Sequence, residues 1–480
     1  MPMGRQIAEV ERGCVDAVVR LIEGAGLPYF LIPTPEPDNI RLGLPAERRD
    51  DLLAALERSG AGLAVSWSGP LRLHSLLARD ATRAGRRDQP VLWVHRAAQV
   101  QTLADARDAL RAVALEFWEP DGAGTHHALQ ANPHADAVRL DAPRLRRRAR
   151  TGHDLPTFRA FLGTDMAEVT FPVDAVYLWV DDADPAWRAR RDRALLALGL
   201  GTDHESALDA RFRQHDELRY SLRSLSMFAP WIRQVHLVTD GQVPSWLDET
   251  SARISVHDHQ ELFAGHGLLP TFNSHAISAR LHHLPGLSER FLYLNDDFFF
   301  GRRTGAELWF DGNGQPRCYY TRTTADPDDL AGDSPLAQAR IHTFDLVEQL
   351  TGKVRRRNLQ HGPYAMARDI LLDLERELPD DFARTWRSQL RAAGDLVVER
   401  LHSQVGHGWG RVVDSQGLAY RYVNVGLPEA RAQMRELLRS RSADTFCIND
   451  AEGPVPPDDR TAAIQEFLEA YYPTPSEFER

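Results

Sequence analysis

The alternation of apolar and polar positions predicts three buried strands that each end in acidic residues. The apolar runs are VDAVYLWV from residue 173, IRQVHLV from residue 232 and FLYL from residue 291, and the acids that follow them are Asp181, Asp240 and the pair Asp296 and Asp297. Nearly continuous apolar runs are typical of strands buried on both faces of a parallel sheet. Ligands of such sheets bind beyond the carboxyl ends of the strands. The pattern therefore predicts an α/β fold, a mostly parallel, Rossmann-like sheet with one acidic crevice at its edge.

The segments between these strands carry helical periodicity. Apolar residues recur at helical spacing from Leu218 to Phe228 and predict a helix that Pro230 ends. Residues 269–284 predict a second helix, which begins near Asn273. Asn273 and His275 would lie at its N-terminus, where anions bind favourably.

The same pattern divides the chain of 480 residues into domains. Residues 1–150 alternate short apolar runs with helical ones, including a helix over Leu103 to Val113, and predict an accessory α/β module. This module contains no phosphate loop or dinucleotide fingerprint. Residues 151–170 are polar enough for a surface connector. Residues 171–480 form the predicted catalytic domain, with a helical C-terminal part.

Composition narrows the class of protein. The net charge of -11 argues against a nucleic-acid binder. Cys14, Cys318 and Cys447 show no C-x-x-C spacing, which argues against a disulfide framework or a structural zinc site. No apolar run reaches membrane-spanning length, and the N-terminus lacks the apolar core of a signal peptide. We therefore expect a cytoplasmic protein without a transmembrane segment, able to visit the inner face of a membrane peripherally.

The acidic residues admit two interpretations at this point. Asp296 and Asp297 either converge on a divalent cation such as Mg²⁺, which prefers carboxylates, water and phosphate oxygens, or cap a turn. Asp181 likewise either contacts a ligand or builds the turn in which it lies. Asp240 adds a third strand end with a carboxylate, which favours a single crevice.

Five segments together resemble one family. They are VDAVYLWVDDADP, DELRYSLRSLSMFAPWIRQVHLVTDGQVPSW, LPTFNSHAI with FLYLNDDFFFG, QHGPYAM and TFCIND. The resemblance is to the Stealth family of hexose-1-phosphate transferases, which includes bacterial capsule and exopolysaccharide phosphotransferases. The family is also similar to the catalytic part of N-acetylglucosamine-1-phosphate transferase. The resemblance covers residues 171–480 and leaves residues 1–150 outside.

The resemblance implies an enzyme that uses a nucleotide-diphosphate sugar and a glycan or polysaccharide acceptor. Hexose-1-phosphate would pass from the donor, UDP-N-acetylglucosamine or a related sugar nucleotide, to a sugar hydroxyl. A phosphodiester would form in capsule or exopolysaccharide synthesis, and nucleoside monophosphate would be released. The implied cofactor is Mg²⁺ or Mn²⁺, since phosphoryl transfer depends mainly on positioning and charge neutralisation.

The family pattern and the surrounding polar residues also give candidate roles to individual residues. Those expected to be catalytic are His361, Asp240 and Glu217. Those expected to bind substrate are Asp174, Asp181, Arg219, Asn273, His275, Arg322, Arg391 and Asn449. Those expected to bind the metal are Asp296, Asp297 and Asp450.

Two other functions stay open on the residues alone. A metal-dependent glycosyltransferase also holds a nucleotide pyrophosphate with acidic pairs at strand ends, and it would release nucleoside diphosphate. A regulatory protein that binds a sugar nucleotide without turnover is the third interpretation, which the intact Asp296 and Asp297 pair disfavours.

Overall fold

A computed structural model gives the fold of the chain. It describes residues 3–33, 40–59, 63–66, 89–96, 113–130, 134–148, 153–200, 212–324, 334–451 and 453–480. Two compact units are present, Met1–Glu168 and Val169–Arg480. Both contain helices and sheets, and the predicted α/β class is confirmed.

The first unit is built on a seven-stranded mixed sheet. Its elements are α1 (Met3–Gly24), β1 (Phe30–Ile32), β2 (Ile40–Pro45), α2 (Arg49–Arg58), β3 (Leu63–Ser66), β4 (Val91–Arg96), β5 (Val113–Pro120), β6 (Thr125–Ala128), β7 (Ala137–Arg139), β8 (Leu145–Arg148) and β9 (Asp154–Thr157). The main path of the sheet is β1-β2-β5-β4-β3, and β6 pairs with both β5 and β7. The helix predicted over Leu103 to Val113 lies outside the described residues except for Val113, which begins β5.

The segment predicted as a surface connector, residues 151–170, instead belongs largely to the first unit. Its strand β9 pairs antiparallel with β8. Phe158 and Phe161 are buried, and their rings lie 5.0 and 5.7 Å from the ring of Phe30. The segment is polar on average, but these aromatic residues pack it into the core of the first unit. The boundary between the two units therefore falls at Glu168.

The second unit contains the remaining elements. Its strands are β10 (Val173–Leu178), β11 (Val235–Thr239), β12 (Ile254–Asp258), β13 (Arg290–Asn295), β14 (Phe298–Phe300), β15 (Arg317–Thr324), β16 (Arg357–Leu359), β17 (Tyr364–Ala367), β18 (Val413–Ser415), β19 (Tyr420–Asn424) and β20 (Thr445–Asn449). Its helices are α3 (Pro185–Ala197), α4 (Glu217–Phe228), α5 (His259–Phe263), α6 (Ser274–Ser278), α7 (Pro335–Thr351), α8 (Arg368–Glu377), α9 (Pro379–Trp386), α10 (Val398–Gly408), α11 (Ala430–Ser440) and α12 (Pro457–Tyr471).

The central sheet of this unit has the order β12-β11-β10-β13-β17. The first four strands are mutually parallel, and β17 is antiparallel to β13. Leu292 and Leu294 of β13 pack into one core, while Phe291 and Tyr293 pack into another on the opposite face. Burial on both faces explains why β13 is apolar at consecutive positions.

Two smaller sheets flank the central one, with orders β14-β20-β19 and β16-β15-β18. The C-terminal part is helical, as predicted, but it also supplies β19 and β20 to the first of these sheets. No helix within the described residues is long and apolar enough to cross a membrane.

The helix predicted over residues 269–284 is broken into two short pieces. Helix α6 ends at Ser278, and a 3₁₀ turn covers Leu281–His283. The carbonyl of Ala279 accepts a hydrogen bond from the indole N–H of Trp386 at 3.1 Å, and the N–H of His283 bonds to the carbonyl of Arg280. The α-helix has already ended before these bonds, because the N–H of Arg280 bonds to the carbonyl of Ile277 at 2.9 Å instead of to that of Ala276.

A buried histidine makes the stability of this unit depend on pH. His402 of α10 is buried, and its Nε2 accepts the backbone N–H of Ala367 at 2.9 Å. Burial lowers the pKa of His402 to about 3, whereas an unfolded histidine titrates near 6.5. The unfolded chain therefore binds the proton first, so this contribution to stability is complete above about pH 6.5 and is lost as the pH falls toward 3.

We expect His402→Gln, which keeps an acceptor for the N–H of Ala367, to reduce this dependence on pH. Between neutral pH and about pH 5, the unsubstituted protein should lose about 2 kcal/mol of unfolding free energy through this group. Urea denaturation at both pH values measures the difference. The same loss in both proteins would contradict the assignment to His402.

Candidate active site

Asp296 and Asp297 form the turn through which the chain passes from the central sheet to a second sheet. Strand β13 ends at Asn295, and β14 begins at Phe298. The carbonyl of Asp297 accepts the backbone N–H of Ile448 in β20 at 3.1 Å. The turn is thus fixed by both sheets at the carboxyl end of the parallel strands.

Glu217 brings a third carboxyl group to this turn. It is the first residue of α4, is 5% exposed, and accepts the backbone N–H of His215. Burial and the charge of Asp296 raise the pKa of Glu217 well above its ordinary value. Burial and the charge of Asp297 raise the pKa of Asp296 to about 7. We call Glu217, Asp296 and Asp297 the acidic triad, because their charges are held together in poorly solvated surroundings.

Strand β20 contributes hydrogen-bond donors to Asp297. The thiol of Cys447 and the amide of Asn449 donate to Oδ2 of Asp297 at 3.2 and 3.4 Å. Burial and the neighbouring Asp297 raise the pKa of Cys447 well above its ordinary value, so the thiol stays protonated. Asn449 thus reaches the predicted site, and Cys447 is a buried residue, as its sequence context indicated.

The charges of the acidic triad favour a hard divalent cation such as Mg²⁺ nearby, and Asp297 offers an oxygen for it. Oδ1 of Asp297 is buried and has no hydrogen-bond partner among the described residues. A cation bound to the three carboxyl groups would offset their mutual repulsion and keep them ionised. His361 and Cys447 also lie with Asp297 in a group whose potential ligand atoms are within 4.8 Å of one another.

His361 lies beside Asp297 of the acidic triad, in the loop before β17. Its Nδ1 is 3.1 Å from the hydroxyl of Tyr364, and its ring meets the ring of Phe298 edge to face at 4.8 Å. The backbone carbonyl of His361 accepts the hydroxyl of Tyr420 at 2.9 Å. Within the described part of the chain no residue hydrogen-bonds to Nε2, so this nitrogen can exchange a proton with a ligand.

Asp240 also lies at a strand end, but an arginine binds it. Arg190 of α3 donates to Oδ2 of Asp240 from two nitrogens, at 2.8 and 3.1 Å. His259 Nδ1 lies 3.9 Å from Oδ1 of Asp240, and burial lowers the pKa of this histidine. Because Arg190 already donates two hydrogen bonds to Oδ2 of Asp240, we expect His361 rather than Asp240 to take the proton.

Asp181 is a turn residue. Its Oδ1 accepts the N–H of Ala183 at 2.9 Å, and the side chain of Gln242 bonds to both the N–H and the carbonyl of Asp181. Asp184 caps α3 by accepting the N–H of Ala186 at 2.8 Å. These bonds support the second interpretation, in which Asp181 shapes the loop at the end of β10.

Asp450 differs from the metal-binding role expected of it. Its carboxylate accepts hydrogen bonds from Arg213, His215 and Arg460 at 3.3, 3.1 and 2.9 Å. Although burial opposes ionisation, the bonds from His215 and Arg460 lower the pKa of Asp450 to about 2. A metal ion there would enter a site already occupied by cations, so we exclude Asp450 from the proposed ligands.

Asp174 and Arg219, expected to bind substrate, are instead parts of the framework. Asp174 lies near the amino end of β10, away from the crevice, where Arg233 donates to both carboxylate oxygens at 2.8 and 2.6 Å. Arg219 donates to Glu479 near the C-terminus at 2.6 Å. Both charged groups are thus paired within the fold.

Asn273 and His275 are buried, which limits their contact with a substrate. Asn273 caps α6 by accepting the N–H of His275, and its amide donates to Asp395 at 2.8 Å. Arg391 donates to the hydroxyl of Ser274 at 2.9 Å. These residues organise the N-terminus of α6.

Arg322 is exposed on β15. None of the hydrogen bonds or ion pairs found among the described residues joins it to the acidic triad.

Sequence reasoning missed several residues of the site. Tyr420 and Tyr422 come from β19, which no motif marked, and Tyr422 is 45% exposed with its ring 6.2 Å from that of His361. Arg190 lies on α3 without a distinctive pattern. The alternation of Tyr420, Tyr422 and Asn424 on one face of β19 was the available signal.

The chain matches all four conserved regions of the Stealth proteins. Region 1 matches residues 171–199, region 2 matches 211–318, region 3 matches 360–402 and region 4 matches 435–480. The acidic triad lies in region 2, while His361 and Asn449 lie in regions 3 and 4.

Two relatives from Streptomyces coelicolor match nearly the whole chain. Exopolysaccharide phosphotransferase SCO6023 is 37% identical over 100% of this chain and 83% of its own length. Exopolysaccharide phosphotransferase SCO2592 is 35% identical over 99% of this chain, which spans 52% of that relative. The names of both relatives support the predicted enzyme class, a transferase.

Among solved structures, the galactosyltransferase LgtC in complex with donor and acceptor sugar analogs matches with a TM-score of 0.32 and 12% identity. That match covers 62% of this chain and 95% of LgtC, and its TM-score is too low to support an argument. The four conserved regions and the relatives confirm the resemblance that the motifs showed. The chain belongs to the Stealth family.

Proposed function

We propose that this protein transfers hexose-1-phosphate from a nucleotide-diphosphate sugar to a sugar hydroxyl during exopolysaccharide synthesis. The observation that carries the proposal is the placement of Asp297 beside His361 at the carboxyl end of the parallel sheet, where the charges of Glu217 and Asp296 act on the same turn. The relatives named exopolysaccharide phosphotransferases support the same reaction. UDP-N-acetylglucosamine is the donor that we propose. Because nucleotide sugars are cytoplasmic, the enzyme would act in the cytoplasm.

In this reaction the acceptor hydroxyl attacks the phosphorus next to the sugar. The new P–O bond forms as the bond to the second phosphate breaks, and nucleoside monophosphate leaves with the displaced oxygen. Nε2 of His361 takes the hydroxyl proton, while Tyr364 orients the ring through Nδ1. A neutral imidazole suits this task near neutral pH.

The acidic triad would hold Mg²⁺ or Mn²⁺, which when bound neutralises the charge of the donor pyrophosphate. The thiol of Cys447 and the amide of Asn449 keep Asp297 oriented. Arg213 and Arg190, each fixed by an aspartate, are about one-third exposed and can bind phosphate oxygens. Asp450 and Asp240 therefore become positioning residues for arginines.

The product nucleotide tests the reaction type. With Mg²⁺, UDP-N-acetylglucosamine and a glycan acceptor, the protein should release UMP and form a phosphodiester detectable by ³¹P NMR. Release of UDP with formation of a glycoside would refute phosphoryl transfer and identify a glycosyltransferase. Binding of the donor without turnover across a panel of UDP- and GDP-sugars and acceptors would identify a regulatory protein.

His361→Ala should lower kcat by a factor of about 10² to 10⁴ if His361 is the general base. The acidic limb of the variant's pH–rate profile should also change, because the proposed general base is gone. Asp240→Asn is the matched comparison, and its acidic limb should remain. Loss of that limb in Asp240→Asn alone would transfer the role of base to Asp240.

Asp297→Asn should weaken Mn²⁺ binding at least about tenfold and abolish turnover, since it removes a carboxylate from the proposed ligands. Asp450→Asn should retain Mn²⁺ affinity, because its carboxylate binds arginines. Electron paramagnetic resonance of free Mn²⁺ measures both without an activity assay. Equal loss of affinity in the two variants would return Asp450 to the metal site.

A further inference from the structure

A second group of potential metal ligands lies apart from the acidic triad. His282, His283 and Glu375 bring their ligand atoms within 4.8 Å of one another. The two histidines lie on the 3₁₀ turn before β13, and Glu375 lies on α8 after β17. Because β13 and β17 are antiparallel, these elements meet at the amino end of β13, opposite the end that carries Asp296.

The three side chains converge on a single point. Nε2 of His282 and Nε2 of His283 lie 2.5 and 2.6 Å from the same oxygen, Oε2 of Glu375. The two imidazole rings lie 4.2 Å apart. Two imidazole nitrogens and a carboxylate oxygen are ligands typical of Zn²⁺ and similar transition metals. Mg²⁺, by contrast, prefers ligand sets made only of oxygen atoms.

The three ligands differ in their exposure to solvent. The side chain of His282 is fully buried, while those of His283 and Glu375 are 28% and 25% exposed. The inner ligand is thus fixed by packing, and the outer side is open to water, which can complete a tetrahedral shell.

Two features oppose tight binding. Glu375 already accepts hydrogen bonds from both histidines, so a metal must replace them and the carboxylate must move outward to admit it. The charge of Arg280 acts on Glu375, although its guanidinium stacks on Trp386 at 4.6 Å. We expect a moderate affinity for these reasons.

We propose that His282, His283 and Glu375 form a transition-metal site, with Zn²⁺ as the favoured ion, separate from the active site. The ion would join the turn that leads into β13 to helix α8. Since β13 ends at the acidic triad, the bound ion would stabilise the strand that positions the proposed metal-binding carboxylates. No step of the proposed transfer passes through it.

The test uses the full chain after removal of metals with a chelator and dialysis. Titration with Zn²⁺ against a chromogenic chelator should show a saturable site. His283→Ala and Glu375→Gln, which alter the two partly exposed ligands, should each weaken it at least about tenfold. His127→Ala, an exposed histidine beside Asp121, is the matched control and should bind as the unsubstituted protein does.

Co²⁺ distinguishes this site from the group that contains Cys447. A site of two histidines and a glutamate gives d–d absorption without a thiolate charge-transfer band, whereas ligation by Cys447 would add that band. Absence of saturable Zn²⁺ binding would overturn the proposal. So would binding that survives His283→Ala and Glu375→Gln, or that is lost in Cys447→Ser.

Discussion

The repulsion among three poorly solvated carboxyl groups is the constraint on which the candidate site depends. Burial and the charges of Asp296 and Asp297 raise the pKa of Glu217, and burial and the charge of Asp297 raise the pKa of Asp296. A fold accepts such a cost only where surrounding structure prevents the groups from separating. The turn of Asp296 and Asp297 meets this condition, since buried strands bound it on both sides.

The C-terminal segment completes this support. The hydroxyls of Tyr471 and Tyr472 donate to the carbonyls of Gly301 and Phe300 at 2.8 and 2.7 Å. Glu479 accepts hydrogen bonds from Arg223 and Arg219 on α4, the helix that begins with Glu217. The last residues of the chain therefore hold both elements that carry the acidic triad, which gives Arg219 a structural task in place of substrate binding.

The strand ends before Asp240 and Asp296 could be predicted from sequence, because an apolar run followed by carboxylates is a local feature. The apolar run before Asp296 and the motif around His361 needed no knowledge of distant contacts. The assignments of Asp174, Arg219 and Asp450 depended instead on partners remote in the chain. A polar residue in a motif looks the same whether it meets a substrate or an arginine 59 residues away, as Asp174 does. The carbonyl of Ala279, just after the short helix α6, likewise bonds to a remote residue, Trp386.

In the proposed reaction, positively charged side chains would allow the acidic crevice to accept an anionic donor. Arg190 forms an ion pair with Asp240, and Arg213 forms one with Asp450. These pairs fix the two guanidinium groups and leave part of each exposed. Fixed donors stabilise developing charge better than mobile ones, since they need not reorganise during the reaction. In the proposed reaction, a cation at the acidic triad and the two arginines at the donor phosphates would divide the neutralisation of charge between two sets of residues.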